Sequence, residues 1–92
     1  MSEEFSIRTI FVQIKCRLGT AYKVAEAISD QVPELSEIHS TSGSFDLLAK
    51  FYLERGKDPG LFISSVVQQI PDVVDTYTII AFNAFTPHLD PA

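Results

Sequence analysis

Residues 39–53 read His-Ser-Thr-Ser-Gly-Ser-Phe-Asp-Leu-Leu-Ala-Lys-Phe-Tyr-Leu. This stretch predicts two β-strands joined by a tight turn at residues 42–44, because Gly43 can adopt the positive φ that hairpin turns require. Asp46 then lies just inside the second strand, where aspartate is disfavoured. Two alternatives follow for this carboxylate: it faces solvent at the rim of the hairpin, or it is held at a binding site.

The segments around this hairpin alternate between the strand period of two and helical spacing. Strands are predicted at residues 8–16, 35–42, 45–53 and 73–82. One helix is predicted after the candidate N-cap Thr20 and another after Asp58, with Pro59 at its first position. The order β-α-β-β-α-β favours a ferredoxin-like α+β fold, in which a four-stranded antiparallel sheet has strands one and three at its centre and both helices on one face.

The face of this sheet that the helices leave open is not polar, since Phe11, Leu48 and Tyr52 lie on it. The chain is 46% hydrophobic, although a domain of this size buries only about 60–65% of the surface that its unfolded form exposes. We therefore predict a homodimer with the two sheets packed face to face. Each subunit is expected to be a single domain, residues 1–92, with a core at residues 7–82 and an irregular tail at residues 83–92.

The charge pattern argues against nucleic acid as a direct partner of this chain. The net charge is −5, and the seven basic residues are scattered rather than clustered. One cysteine, Cys16, is consistent with a reducing compartment. The acidic N-terminus has no apolar signal core, and no stretch is apolar enough to span a membrane. We expect a cytoplasmic protein with no membrane contact.

The residues that carry chemistry do not form a recognisable catalytic or metal-binding set. Cys16 and His39 could lie on neighbouring strands, but two ligands do not make a metal site and no third is suitably spaced. No serine has a paired base, and the glycines are isolated rather than grouped in a phosphate-binding loop. We expect no metal, no cofactor and no enzymatic activity.

One group of polar residues does converge at the hairpin, and Thr76 and Thr78 lie on the last strand. The hairpin group is Ser40, Thr41, Ser42, Gly43 and Asp46. A carboxylate, hydroxyls and turn N–H groups suit a small zwitterion such as an amino acid, whose ammonium the carboxylate would take. The hairpin and the last strand need not touch within one subunit, but they could meet across a dimer. The alternative is an ordinary polar hairpin with a solvent-facing aspartate.

Two motifs resemble the ligand-binding (RAM) domain of the Lrp/AsnC (leucine-responsive regulatory protein/AsnC) family. Residues 42–48, Ser-Gly-Ser-Phe-Asp-Leu-Leu, match the family's hairpin pattern Gly-x-(Tyr/Phe)-Asp followed by apolar residues. Residues 70–80, Ile-Pro-Asp-Val-Val-Asp-Thr-Tyr-Thr-Ile-Ile, are similar to its last strand, Pro-Gly-Val followed by Thr-x-Thr. Asp72 stands where the family usually has glycine, which we interpret as a local turn difference away from the site.

This resemblance covers residues 7–82 and implies a ferredoxin-like subunit that dimerises through its sheet. Family dimers associate further, often into octamers, and bind amino acids where subunits meet. The resemblance places Gly43, Phe45 and Asp46 on the effector-response hairpin. It places Thr76, Thr78 and Ile79 on the last strand, which is similarly implicated. The predicted ligand-binding residues are Thr41, Ser42, Gly43, Phe45, Asp46, Thr76, Thr78 and Ile79.

Full Lrp/AsnC regulators place a helix-turn-helix domain before this unit, and too few residues precede the first strand here to form one. The prediction is a stand-alone amino-acid-binding and oligomerisation module linked to transcription regulation, with a full-length Lrp/AsnC regulator as a possible partner. One alternative is a purely structural assembly partner of such a regulator. Another is a small dimeric α/β-barrel enzyme, which would need a base inside the barrel that neither His39 nor His88 supplies convincingly.

Overall fold

The computed structural model describes residues 7–85, which contain four strands and two α-helices. In chain order these are β1 (Ile7–Cys16), α1 (Ala21–Gln31), β2 (Leu35–Ser40), β3 (Leu47–Glu54), α2 (Pro59–Ser65) and β4 (Val73–Ile80), with a short 3-10 helix at Val67–Gln69. The strands form one antiparallel sheet in the order β2-β3-β1-β4. The predicted ferredoxin-like α+β fold, with strands one and three at the centre, is confirmed.

The core lies between the helices and the side of the sheet that faces them. Because side chains alternate along a strand, every second residue of β1 and β3 points to this side. The fully buried members are Ile10, Val12, Ile14, Leu47, Ala49, Phe51 and Leu53. α2 contributes Phe62, whose ring meets the Phe51 ring edge to face at a centroid distance of 5.2 Å. The apolar alternation of the two central strands thus determines which face the helices cover.

The two helix starts differ in how they are capped. Asp58 caps α2 as predicted, because its Oδ1 accepts the N–H of Gly60 at 2.9 Å. Thr20 occupies the N-cap position of α1 as predicted, but its side chain makes no capping bond: its hydroxyl donates backwards to the carbonyl of Arg17 at 2.6 Å.

α2 is shorter than the sequence pattern indicates. It ends at Ser65, and the chain continues as the 3-10 helix. The hydroxyls of Ser64 and Ser65 both donate to the carbonyl of Leu61, at 3.3 Å and 2.6 Å. Such local bonds weaken regular helical geometry slightly, and they lie where the α-helix ends.

The connection between β2 and β3 is longer than the predicted tight turn. β2 ends at Ser40 rather than at residue 42, and β3 begins at Leu47 rather than at residue 45. Gly43 has the predicted positive φ, at +100°. Asp46 lies just before β3 rather than inside it, and its N–H donates to the carbonyl of Ile14 in β1 at 2.9 Å. We call residues 41–46 the hairpin loop.

The open face of the sheet carries the alternate residues of the same strands. Its members include Phe11, Gln13, Leu48, Lys50, Tyr52, Tyr77 and Ile79, as the register of the three strands requires. Phe45 of the hairpin loop lies close to Tyr77, with ring centroids 6.5 Å apart, so the hairpin and β4 do touch within one chain. No other element of residues 7–85 covers this face, and the face-to-face dimer stays a prediction.

The last strand is also shorter than predicted, since β4 ends at Ile80 rather than at residue 82. Ala81 still donates its N–H to the carbonyl of Thr9 at 3.1 Å. Of the predicted tail, residues 83–85 have no regular secondary structure, and residues 86–92 lie outside the described residues. Within residues 7–85, neither helix has the length and apolar character that crossing a membrane requires.

Candidate ligand-binding site at the exit of β1

The predicted site residues occupy three places in one chain rather than one. Thr41, Ser42, Gly43, Phe45 and Asp46 lie in the hairpin loop, beside the C-terminal end of β1. The other three predicted residues all lie on β4. Thr76 and Thr78 point to the helix side of the sheet, since they pair with Ile14 and Val12, whereas Ile79 is on the open face. A single subunit therefore does not bring all eight residues together.

Asp46 is held by its own chain. Its Oδ2 accepts the backbone N–H of Cys16 at 2.8 Å, in a partly buried position. This contact lies at the end of β1, where the pairing of β1 with β4 shifts register between Lys15 and Cys16. A hydrogen bond from an amide to a carboxylate is stronger than one to a neutral acceptor. The carboxylate is thus neither free at the hairpin rim nor directed only towards a ligand.

A second aspartate, Asp72, bonds to Arg17, the residue that follows the C-terminal end of β1. The carbonyl of Asp72, in the turn before β4, accepts the N–H of Arg17 at 2.8 Å. Its carboxylate contacts Arg17 Nε at 3.1 Å and Lys23 Nζ at 3.2 Å. The hydrogen bonds from Lys23 and then Arg17 hold the pKa of the Asp72 carboxyl below its usual range.

The backbone of Asp72 explains why glycine is usual at this position in the family that the sequence resembles. Its φ is +74°, and between residues 7 and 85 it is the single non-glycine residue with a positive φ. Aspartate tolerates this conformation better than most residues, but glycine adopts it without cost. Asp72 does not line the cleft described next, yet its carboxylate contacts Arg17, which does.

An open cleft of about 510 Å³ lies between Asp46 and the loop that leads from β1 to α1. Its volume is in the range of small-molecule sites. The residues that line it are Lys15, Cys16, Arg17, Leu18, Gly19, Ala21, Tyr22, Asp46 and Val74. Leu18 and Tyr22 are 97% and 79% exposed, so the apolar wall of the cleft is uncovered in one chain.

Sequence reasoning found only Asp46 among these lining residues. The others were missed because the β1–α1 loop follows no period that could mark a face. One signal was present: Leu18 is a large apolar residue between Arg17 and Gly19, in a segment that belongs to neither the strand nor the helix.

Cys16 and His39 are not placed to share a metal ion. β2 and β1 are separated by β3, so the prediction that they lie on neighbouring strands is wrong. His39 Nε2 contacts Glu37 Oε1 at 3.0 Å, and this hydrogen bond is the main cause that lowers the pKa of Glu37. Burial, followed by the charges of Asp46 and Asp72, raises the pKa of the Cys16 thiol. In the part of the chain that the structure describes, no three His, Cys, Asp or Glu side chains are placed to hold a metal ion together.

Thr76 and Thr78 line a different groove, of about 380 Å³, between α2 and β4. The Thr76 hydroxyl accepts a hydrogen bond from Gln68 Nε2 at 2.8 Å. These hydroxyls therefore face α2 and the 3-10 helix, not the hairpin loop of the same subunit.

A model of the Lrp/AsnC ligand-binding domain matches residues 9–90 of the sequence. The chain belongs to the Lrp/AsnC ligand-binding domain family. Solved structures of similar size agree. The protein TTHA0845 from Thermus thermophilus is 33% identical, with a TM-score of 0.67 over 86% of this chain and 98% of that one. The hypothetical protein PHS023 from Pyrococcus horikoshii is 26% identical, with a TM-score of 0.73 over 92% of this chain and 100% of that one.

A longer structural neighbour of this Lrp/AsnC domain is the transcriptional regulator NMB0573 from Neisseria meningitidis, solved as a complex with L-Met. Its TM-score is 0.78 at 15% identity, over 99% of this chain and 58% of that one, so this likeness shows the fold alone. Comparison with curated protein sequences finds no match. The family match identifies the chain as a ligand-binding domain of the Lrp/AsnC type.

Proposed function

We propose that this Lrp/AsnC domain is a non-catalytic module that binds a free amino acid where two subunits meet. The observation that carries this proposal is the open cleft beside Asp46. It combines an uncovered apolar wall, at Leu18 and Tyr22, with the cationic side chains of Lys15 and Arg17. A free amino acid has matching groups, because its carboxylate can pair with either cation and its side chain can pack on the apolar wall.

A second subunit would complete the site. The residues Thr41, Ser42, Gly43, Phe45 and Asp46 belong to the hairpin loop of one subunit. Thr76 and Thr78 would come from the helix side of another subunit's β4, through a contact other than the sheet-to-sheet dimer, because that dimer uses the opposite face, on which Ile79 lies. The separation of these groups within one chain supports this division, since β4 does not direct its threonines towards its own hairpin.

The open sheet face is the proposed dimer interface. Phe11, Leu48 and Tyr52 lie on it only partly buried, and Tyr77 and Ile79 are 58% and 44% exposed. Apolar side chains grouped in this way on a small domain mark a surface that another protein covers. A second copy of the chain is the simplest partner, because an isologous contact uses the same face twice. We extend the proposal to higher oligomers such as octamers, and to co-assembly with a full-length Lrp/AsnC regulator in the cytoplasm.

The amino-acid class is supported by the Neisseria regulator, whose structure contains L-Met. A purely structural assembly role is the competing function, and it differs in one measurable respect: its assembly would be indifferent to every amino acid.

The test is a thermal-shift panel with the twenty amino acids at millimolar concentration, combined with sedimentation velocity. A ligand at 100 times its Kd adds about 2.7 kcal/mol, and each kcal/mol moves the Tm of a domain this small by roughly 4–8 °C. We expect one or a few amino acids to raise the Tm and to change the oligomer distribution. A flat panel together with an unchanged distribution would support the structural role instead.

A further inference from the structure

We infer that Asp46 is a positioning residue, whose carboxylate oxygen holds the hairpin loop against the exit of β1. On this inference the effect of Asp46 on ligand binding depends on hydrogen-bond acceptance rather than on negative charge. It rests on the proposed function for its ligand readout only, since the hydrogen bond itself can be measured without a ligand.

Three hydrogen bonds join Asp46 to its surroundings. Its N–H donates to the Ile14 carbonyl at 2.9 Å, and its carbonyl accepts the Thr41 N–H at 2.9 Å. Its Oδ2 accepts the Cys16 N–H at 2.8 Å. The first and third of these contacts reach β1, and the second closes the hairpin loop. Asp46 is therefore the point at which the loop is attached to the central strand.

Few other contacts hold the loop in place. Residues 41–44 are exposed, and the Lys15 ammonium reaches the Ser44 carbonyl only at 3.4 Å. The Phe45 ring contacts Tyr77 of β4, but neither contact reaches the backbone of β1. The Cys16 side chain is buried, so its N–H has poor access to water if the carboxylate is removed. Loss of the acceptor would leave this N–H without a partner and would let the loop shift relative to the β1–α1 loop, which forms the other wall of the cleft.

Acceptor and charge can be separated because asparagine and glutamate each keep one of them. Asparagine has a carbonyl oxygen at the position of Oδ2 but no charge. Glutamate keeps the charge, but one extra methylene moves its oxygens away from the Cys16 N–H. Positioning therefore predicts that Asp46→Asn resembles the wild type and that Asp46→Glu does not. Direct contact with a ligand ammonium predicts the reverse order.

The experiment compares wild type, Asp46→Asn, Asp46→Glu and Asp46→Ala. Hydrogen exchange of the Cys16 amide is followed by NMR, and Kd is measured by calorimetry for an amino acid that shifts the wild type in the thermal panel. We expect Asp46→Asn to keep the Cys16 protection and to bind within about threefold of wild type. Asp46→Glu and Asp46→Ala should lose at least tenfold in the protection of the Cys16 amide and at least tenfold in affinity for the amino acid. Asp75→Asn is the matched control, because that carboxylate accepts only the neighbouring Thr76 N–H at 2.9 Å among the described contacts.

The opposite ranking, with Asp46→Asn impaired and Asp46→Glu active, would overturn the inference and indicate an ammonium contact. Unchanged Cys16 protection in Asp46→Ala would overturn it as well. If no amino acid binds the wild type, the proposed function fails on its own. The exchange ranking of the three variants then decides the positioning role without any ligand.

Discussion

The hairpin loop and the turn before β4 flank the exit of β1 from opposite sides, and each places one aspartate there. The carboxylate of Asp46 accepts a hydrogen bond from the Cys16 N–H, whereas the backbone carbonyl of Asp72 accepts one from the Arg17 N–H. The Asp72 carboxylate is left to form ion pairs with Arg17 and Lys23, whose side chains are 72% and 73% exposed. The two aspartates thus bind two successive backbone amides, one through its side chain and the other through its main chain.

This difference determines how replaceable each aspartate is. Any residue at position 72 keeps the carbonyl that Arg17 needs, and the lost ion pairs are of the exposed kind that contributes little to stability. At position 46 the side chain itself is the acceptor, so only a side chain with an oxygen in the same place can substitute. The presence of an aspartate at a position therefore says little about its role until it is known whether its side chain or its backbone makes the hydrogen bond.

The largest effect is expected for Asp46→Ala. Loss of a hydrogen bond to a charged acceptor, with a partly buried N–H left behind, should reduce the free energy of unfolding by about 1.5–3 kcal/mol. Urea unfolding followed by circular dichroism measures it. Asp75→Ala is the control and should change the free energy by less than about 0.5 kcal/mol. Equal losses in the two variants would mean that the Cys16 bond carries no special weight.

Gly43→Ala should have an intermediate effect. The φ of Gly43 is +100°, which disfavours a side chain, although a Cβ there would meet no atom within 4 Å. We expect a loss of about 1 kcal/mol from the backbone alone. Urea midpoints of Gly43→Ala and wild type test this, and a midpoint equal to that of wild type would show that the loop relaxes into another conformation.

Asp72→Gly should have little effect or raise the urea midpoint slightly. Glycine adopts the φ of +74° without cost, which offsets the loss of the exposed ion pairs. Asp72→Ala is the matched variant, since it loses the same ion pairs and retains the unfavourable φ. A lower midpoint for Asp72→Gly than for Asp72→Ala would contradict this account of the turn.

The smallest effect concerns acid stability. The pKa of Asp72 is lowered in the folded protein by Lys23 and Arg17, so its ion pairs stabilise the fold above the unfolded-state pKa of about 3.9. This stabilisation is lost as the pH falls through the lower folded-state pKa. The Tm difference between wild type and Asp72→Asn should therefore shrink between pH 7 and pH 3. A difference that grows on acidification would assign the opposite sign to the pairing.

The fold was predictable because its strands obey a strict alternation. Ile10, Val12 and Ile14 mark the covered face of β1, and the β3 pattern repeats it. The start of α2 at Asp58 and Pro59 was equally predictable, because aspartate caps a helix N-terminus and proline fits its first position. Strands and helices can be predicted from the sequence when the interactions that determine them lie within a few residues along the chain.

The site was less predictable because its contacts are non-local. Asp46 and Cys16 are 30 positions apart, and no pattern in either segment indicates that a carboxylate will meet a backbone amide. The Thr20 hydroxyl donates to the carbonyl three residues back instead of accepting an N–H of the first helical turn. Residue type alone does not decide between these two local hydrogen bonds. Asp72 was recognised as a departure from the family pattern, but its φ and its two cations became evident only in three dimensions.

The cleft beside Asp46 is open on one side, and under the proposed function a neighbouring subunit closes it. Ligand occupancy would then rise with the amount of protein as well as with the amount of ligand, because anything that binds only the assembled state shifts assembly by mass action. A cell that made more of this protein would respond to a lower level of the same amino acid. The sensitivity of such a module is set by its own expression as much as by its contacts.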